Sequence, residues 1–478
     1  RYRIVNVSAS LGGVLASEYT PWKMNMATQV MVGDYEHNND LEFRGSAAVG
    51  PLPESGDYNL LRRSFWQSSD MMYRYALNML TQKESYLTAN PLSPDDASLA
   101  DMQQLAASEY MEKRTEPYEV NLPALEKMAK DLSGMFKNYP ELFNTSVMFN
   151  GGVIDIYRLT SENVKLKFEQ GYISFIVQAQ LRLADGSVIT DSFSVSAQNA
   201  DGLPQQAELE KRVSEFAEGL LARKERKSLD KYYSGPVMFE EGAVADLFAA
   251  NLLKRGALFA DRQLVNNPQS NIWGDRLGSK VIDSRLSVVN RTDLKEYNGK
   301  PVSGAYEVDA DGVRPEQKAV LIENGILKKV MNGRVPARNA HESTGSMGFA
   351  NLPGDLLPHP ITGVVHISTS KGLKADKMKK ALLSVGKAEG LEYVYIVRKV
   401  AGANTALYKV NVKTGEEMPV RVMSFKLPGI DKLEQLGGIS ATEMVTEENA
   451  NNRSFSVIHP SSVIVNNVEI TKEAVKAV

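Results

Sequence analysis

The spacing of apolar residues changes along this chain, and that change limits the folds open to it more than any other feature. Over residues 57–87, Leu61, Phe65, Met72, Ala76, Met79 and Leu80 recur at three- and four-residue intervals, which collects them on one face of a helix. Asp57 is placed to cap its start, and Pro91 closes the region. Leu125, Met128, Ala129, Leu132 and Phe136 repeat the helical spacing, and so do Leu209, Val213, Phe216 and Leu220. Between those two helices the period drops to two. Val164-Lys-Leu-Lys-Phe168 alternates, and residues 172–183 and 188–195 flank Asp185-Gly186, a dipeptide suited to the positive φ angles of a tight hairpin turn. The first fifty residues carry short β-prone runs at 2–7, 13–17 and 29–32, and 45–56, with Pro51 and Pro53, reads as a loop. Residues 94–118 are charged and read as part helix, part mobile loop.

Beyond a charged run near residue 230, strands dominate. Residues 319–330 form a hairpin around Asn324-Gly325, and 407–412 and 420–425 flank Thr414-Gly415. Met378, Ala381, Leu382 and Val385 mark one helix, followed by a strand at 393–397. At 478 residues the chain exceeds one ordinary core. The expectation is an α+β protein of two domains. Residues 1–230 would combine long helices with antiparallel strands, and residues 231–478 would be β-rich, barrel- or sandwich-like.

Charge and chemistry remove several function classes. A net charge of −3 and a pI near 6.1 give no electrostatic footprint for nucleic acid. No run approaches the ~18 apolar residues of a membrane span. There is no cysteine, which excludes disulfides, thiolate ligands and a cysteine nucleophile. A chain that avoids thiols suits an oxidising compartment, and this one begins at Arg1 inside a strand-like run. Export to the periplasm or cell envelope is therefore expected, with the cytoplasm as the alternative. Gly345-Ser-Met-Gly348 lacks the spacing of a serine elbow, and no phosphate-cradling glycine loop is present. His37, His341, His359, His366 and His459 stand in single-histidine contexts, and Asp309 and Asp311 flank a turn, where carboxylates bond their own backbone. No catalytic residue, metal ligand or cofactor is assigned. Residues 338–351 are the polar loop most like a functional one, with Arg338, His341, Glu342 and Asn351 as its candidate binding residues.

A series of short segments resembles the TldD/PmbA family, peptidase-related proteins also called modulators of DNA gyrase. They are Ser234-Gly-Pro-Val-Met-Phe239 with the helix Ala243-Val-Ala-Asp-Leu-Phe-Ala-Ala250, then Arg276-Leu-Gly-Ser-Lys-Val281 and Leu286-Ser-Val-Val-Asn290. Gly304-Ala-Tyr-Glu-Val-Asp309, Asp311-Gly-Val-Arg-Pro315, Pro336-Ala-Arg338 and Ser343-Thr-Gly345 follow in order. The N-terminal pieces Val30-Met-Val-Gly-Asp-Tyr35 and Leu61-Arg-Arg-Ser-Phe-Trp66 resemble exported members. In active members the resemblance implies an H-E-x-x-x-H motif on the helix after the Gly-Pro-Val strand. Histidines on one helical face share a zinc there, a glutamate serves as base, and a late cysteine completes the site. Here the pattern falls on Ala249-Ala-Asn-Leu-Leu253, whose Ala249/Leu253 face can pack a core but offers a metal no electron pair. The resemblance also implies a chamber near residues 338–351, peptide or protein substrates, and two-fold dimers, either of one chain or with a zinc-bearing homologue. The function expected is peptide binding or partnership without a classical zinc site. The alternative is a working hydrolase whose site has moved.

Overall fold

Two long strands organise the N-terminal half. The computed structural model describes residues 1–39, 48–52, 56–113, 120–184, 186–225, 227–229, 232–253, 257–260, 262, 272–350, 356–400, 405–421, 425–450 and 453–471. Leu142–Leu159 and Val164–Arg182, of 18 and 19 residues, pair antiparallel along nearly their whole length. Tyr2–Ser10 pairs with the first of them, and Gly13–Tyr19 lies outside it. On the other side, Ser108–Met111 runs parallel to Val164–Lys167, and Val188–Ala197 runs antiparallel to Ile173–Arg182. The sequence reading gave no element to Leu142–Leu159. Its residues 151–156 are buried on both faces, which erases alternation, and Asn150-Gly-Gly152 imitates a break. Glycine is required at 152, because a Cβ there would lie 2.5 Å from the carbonyl oxygen of Arg3 on the adjacent strand. Helices Leu122–Gly134 and Gln206–Leu221 cover this sheet, burying Leu125, Ala129 and Leu132 of one stripe and Leu209, Val213 and Leu220 of the other against Phe149 and Phe175.

The helix expected at 57–87 spans Tyr58–Ala89, and the Asp57 side chain accepts from the amides of Asn59 (2.8 Å) and Leu60 (3.0 Å). Its buried positions are Ser68, Met72, Ala76 and Lys83, so of the expected stripe only Met72 and Ala76 are buried. Phe65 is 44% exposed. What anchors the helix is polar: Lys83 Nζ, fully buried, donates to Asp101 Oδ2 (2.5 Å) and to the Asn38 carbonyl (2.8 Å). The β-run placed at 29–32 is instead Asn25–Thr28, and it pairs with Ala48–Pro51 inside the stretch read as loop. Pro51 ends that strand, a position where its missing N–H is tolerated.

In the C-terminal half, seven strands lie in the order Leu436–Ile439, Ser462–Ile470, Tyr233–Glu240, Tyr393–Lys399, Ala406–Asn411, Glu417–Arg421, Lys227–Ser228. Six more form a second sheet: Ile326–Leu327, Lys318–Glu323, Leu286–Arg291, Val364–Thr369, Arg453–Pro460, Glu443–Ala450. The class is α+β as expected, and the two sheets enclose a helix, Gly242–Leu252, that contacts strands of both. A second helix, Ala375–Ala388, covers the far face of the larger sheet through Met378 and Leu382 against Met238, Val394, Ile396 and Ile464. Asn324 (φ +47°) and Gly325 (φ +78°) both adopt the positive angles their hairpin demands. Gly186 does so at φ +83°, while Asp185 lies outside the described residues. The two halves share a third core, where Ile154, Ile156, Leu166 and Phe168 of the long hairpin meet Val308, Ala310 and Phe349.

Candidate functional site

The enclosed helix is where the family resemblance places chemistry. Tyr233–Glu240 is almost wholly buried and turns into the helix at Glu241, whose φ of +54° is a strained value for a residue with a Cβ. Ala243, Val244, Ala245, Leu247, Phe248, Asn251 and Leu252 are buried, so the helix presents no polar face. Asn251 Nδ2 is satisfied by the carbonyls of Leu247 (2.9 Å) and Pro428 (3.0 Å). Ala249 and Ala250 are partly buried, and Leu253, expected inside the helix, is its C-cap and packs against the core from there. The six-position motif would reach one residue further, to Lys254, which lies outside the described residues. Methyl and isobutyl groups donate no electron pair, so these residues do not fit zinc. Among the described residues no group of three or more His, Asp or Glu is placed to hold a metal ion.

The same helix carries one titratable group. Burial holds the Asp246 carboxyl above its ordinary range. Glu448, on Glu443–Ala450, is pushed up to about 7, by burial first and then by the charges of Asp246 and Glu447. Asp309 is likewise pushed up to about 7 by burial and by the neighbouring Asp311 charge. Its role is the turn predicted for it: Asp309 Oδ1 accepts from the amides of Asp311 (2.8 Å) and Val313 (2.9 Å), and Arg158 pairs with Asp311 at 3.0 Å.

The predicted loop residues are not brought together in one pocket. Arg338 forms a two-pronged pair with Asp96 (2.8 and 2.6 Å) and reaches Ser93, tying the loop to the N-terminal half. His341 is exposed, with Nε2 3.2 Å from the Arg338 carbonyl, and Glu342 is exposed beside it. Asn351 lies outside the described residues. The histidines remain separate: His366 meets Glu443 at 3.0 Å, and His459 is fully buried between the Pro460 carbonyl and the Thr446 hydroxyl, both at 2.8 Å. His359 stands on Pro358–Pro360, a different strand from that of His366.

A cavity of about 460 Å³ opens where the halves meet, between the long hairpin, residues 303–310 and Met347–Phe349. The loop singled out in the sequence thus contributes through its later part rather than through Arg338 or His341. Tyr306 and Arg453 also line the cavity. Neither was proposed as a site residue, and Arg453 had no local signal to find it by.

The model of the PmbA/TldA metallopeptidase C-terminal domain matches residues 233–472. Similar solved structures include TldE from Thermococcus kodakarensis, at 15% identity and TM-score 0.54 over 98% of this chain and 94% of that one. A proposed modulator of a DNA gyrase from Thermotoga maritima is similar at 17% identity and TM-score 0.57, over 98% and 94%. One from Bacteroides thetaiotaomicron is similar at 15% and 0.52, over 97% and 93%. Identities this low speak to fold alone, and no curated protein matches. With half its residues inside the family's domain model and its fold shared along nearly its whole length, the chain belongs to the TldD/PmbA family.

Proposed function

We propose that this chain binds peptides without classical zinc catalysis, alone or as partner to a zinc-bearing relative. The observation that carries this reading is the enclosed helix: Ala249 and Ala250 stand where the family motif requires its first ligand and its base, and the helix around them is packed as core. Pairing is supported by the first helix, where Tyr58, Leu60, Phe65, Trp66 and Met71 are all more than 40% exposed. Residues 338–342 would then contact the partner or its peptide from the rim. Export is favoured by the absence of thiols. The test combines metal analysis of the purified protein with cleavage of a peptide library, with and without a chelator. The expected result is no stoichiometric zinc and no chelator-sensitive turnover. One tightly bound zinc per chain with chelator-sensitive cleavage would overturn the reading.

One observation favours a second reading, a hydrolase with a relocated site. Glu448, poised near neutrality beside Asp246, is the kind of paired carboxylate that general acid–base chemistry uses. Turnover that survives the chelator and disappears in Glu448→Gln would favour it.

A further inference from the structure

The cavity at the junction of the halves holds a cation that makes no ion pair, although the Glu112 charge acts on it from the same lining. Arg453 begins the strand Arg453–Pro460, and its guanidinium turns toward Tyr306, whose ring centroid lies 5.6 Å from Cζ. Gly348 makes the room: a Cβ there would stand 2.8 Å from Arg453 Nη1. Among the described residues, no carboxylate lies within ion-pair distance of Arg453, and its guanidinium forms no hydrogen bond. The acids around the cavity are each engaged elsewhere. Glu112 accepts from the Glu169 amide at 2.9 Å, Glu169 pairs with Lys167, and Glu307 meets Arg314 at 3.3 Å. Arg453 is half-buried, and even partial removal of a guanidinium from water without a close counter-charge is costly, a cost that a ligand's charge can offset.

One wall of the cavity is aromatic, while the rest is polar and includes Glu112, Glu169, Gln170 and Ser174. Phe168 lies between Tyr110 (5.9 Å between centroids) and Phe349 (5.7 Å), and all three line the cavity with Tyr306. The volume is that of a small-molecule site.

We infer that this cavity takes the carboxylate end of a small apolar ligand, the free C-terminus of a peptide with an aromatic or aliphatic last residue, with Arg453 as the carboxylate's partner and the aromatic wall holding the side chain. The inference deepens the peptide-binding reading and rests on it for the identity of the ligand, whereas the carboxylate site itself stands on Arg453. Burial also pushes the Arg453 guanidinium downward, a cost that a bound carboxylate reverses.

The experiment is equilibrium binding, by calorimetry on the full chain, of N-acetyl-Ala-Phe, of its C-terminal amide and of benzoate. The free acid should bind at least about ten-fold tighter than the amide, the scale of one charge-assisted contact. Arg453→Gln should bring the acid down to the amide's level, and Arg453→Lys should keep part of the preference. If Arg453→Gln does not fold, Arg453→Lys serves instead, since it keeps the charge but loses the planar fork and should weaken the acid while leaving the amide unchanged. Equal binding of acid and amide to the parent, or a preference that survives Arg453→Gln, overturns the inference. Benzoate binding that depends on Arg453, with neither peptide bound, keeps the carboxylate site and removes the peptide reading. Failure of all three probes to bind removes the site.

Discussion

The helices Tyr58–Ala89 and Gly242–Leu252 solve the same problem by opposite means. The first has 32 residues, about 48 Å at the usual rise, and leaves Tyr58 73% and Trp66 67% exposed. It is held by its length, the Asp57 cap and the buried Lys83–Asp101 contact. The second has 11 residues, too few to persist in water, and is held by two sheets that close around it. A helix can therefore be specified by what it hydrogen-bonds at a few points or by what encloses it. Only the enclosed kind leaves little room for a polar face, so Ala249 and Ala250 belong to a helix packed as core.

The contrast can be broken most sharply at Phe248. It is fully buried, and Phe248→Ala should cost about 3–5 kcal/mol in urea unfolding. Loss of under 1 kcal/mol would mean that the helix is not enclosed as described. Lys83→Met tests the other anchor. It leaves the Asp101 carboxylate buried with the Asn38 amide, at 2.8 Å, and Arg262 and His37, each at 3.7 Å, to offset it, and should cost about 2–3 kcal/mol, below the usual figure for a fully orphaned charge. A melting temperature equal to the parent's would show that the long helix needs no polar anchor.

A pH series sharpens the comparison further, because Glu448 lies beside the enclosed helix. A folded-state value of about 7, raised above the ordinary carboxylate, means that the folded protein holds this proton longer than the unfolded chain. That contribution to stability is complete below the ordinary carboxylate range and is lost as pH rises through about 7. Glu448→Gln should remove up to about one proton from the slope of stability against pH across that window. An unchanged slope would mean that Glu448 titrates normally. The smallest effect is expected at Trp66 on the exposed face, where Trp66→Ser should stay within about 0.5 kcal/mol. A larger loss in the monomer would place Trp66 in a contact the fold does not show.

What the sequence made legible follows the same division. Elements with one buried face announced themselves: Leu122–Gly134, Gln206–Leu221 and Ala375–Ala388 bury most of the residues their spacing selected, with Met128, Phe216, Ala381 and Val385 half-buried. Leu142–Leu159 stayed silent because its central residues are buried on both sides, which leaves no period to read. The first helix was found, but its buried face was misjudged, since Lys83 is an anchor that no hydrophobic pattern selects and Phe65 is exposed. In the candidate site, the alanines at 249 and 250 could be read by position within the resemblance. Arg453 could not. Its significance depends on Tyr306 and Gly348, which are distant in sequence and approach it only in the folded chain.

The pairing of Tyr233–Glu240 with Ser462–Ile470 has a consequence for how the protein is made. The earlier strand leaves the ribosome more than two hundred residues before its partner, which at ordinary synthesis rates is a wait of roughly ten to fifty seconds. Through that interval one edge of a strongly apolar strand has no partner, and the helix that follows it has no second sheet to close over it. The nascent chain should therefore be prone to aggregate through that open edge, and truncation before residue 462 should leave an insoluble product rather than a smaller folded one.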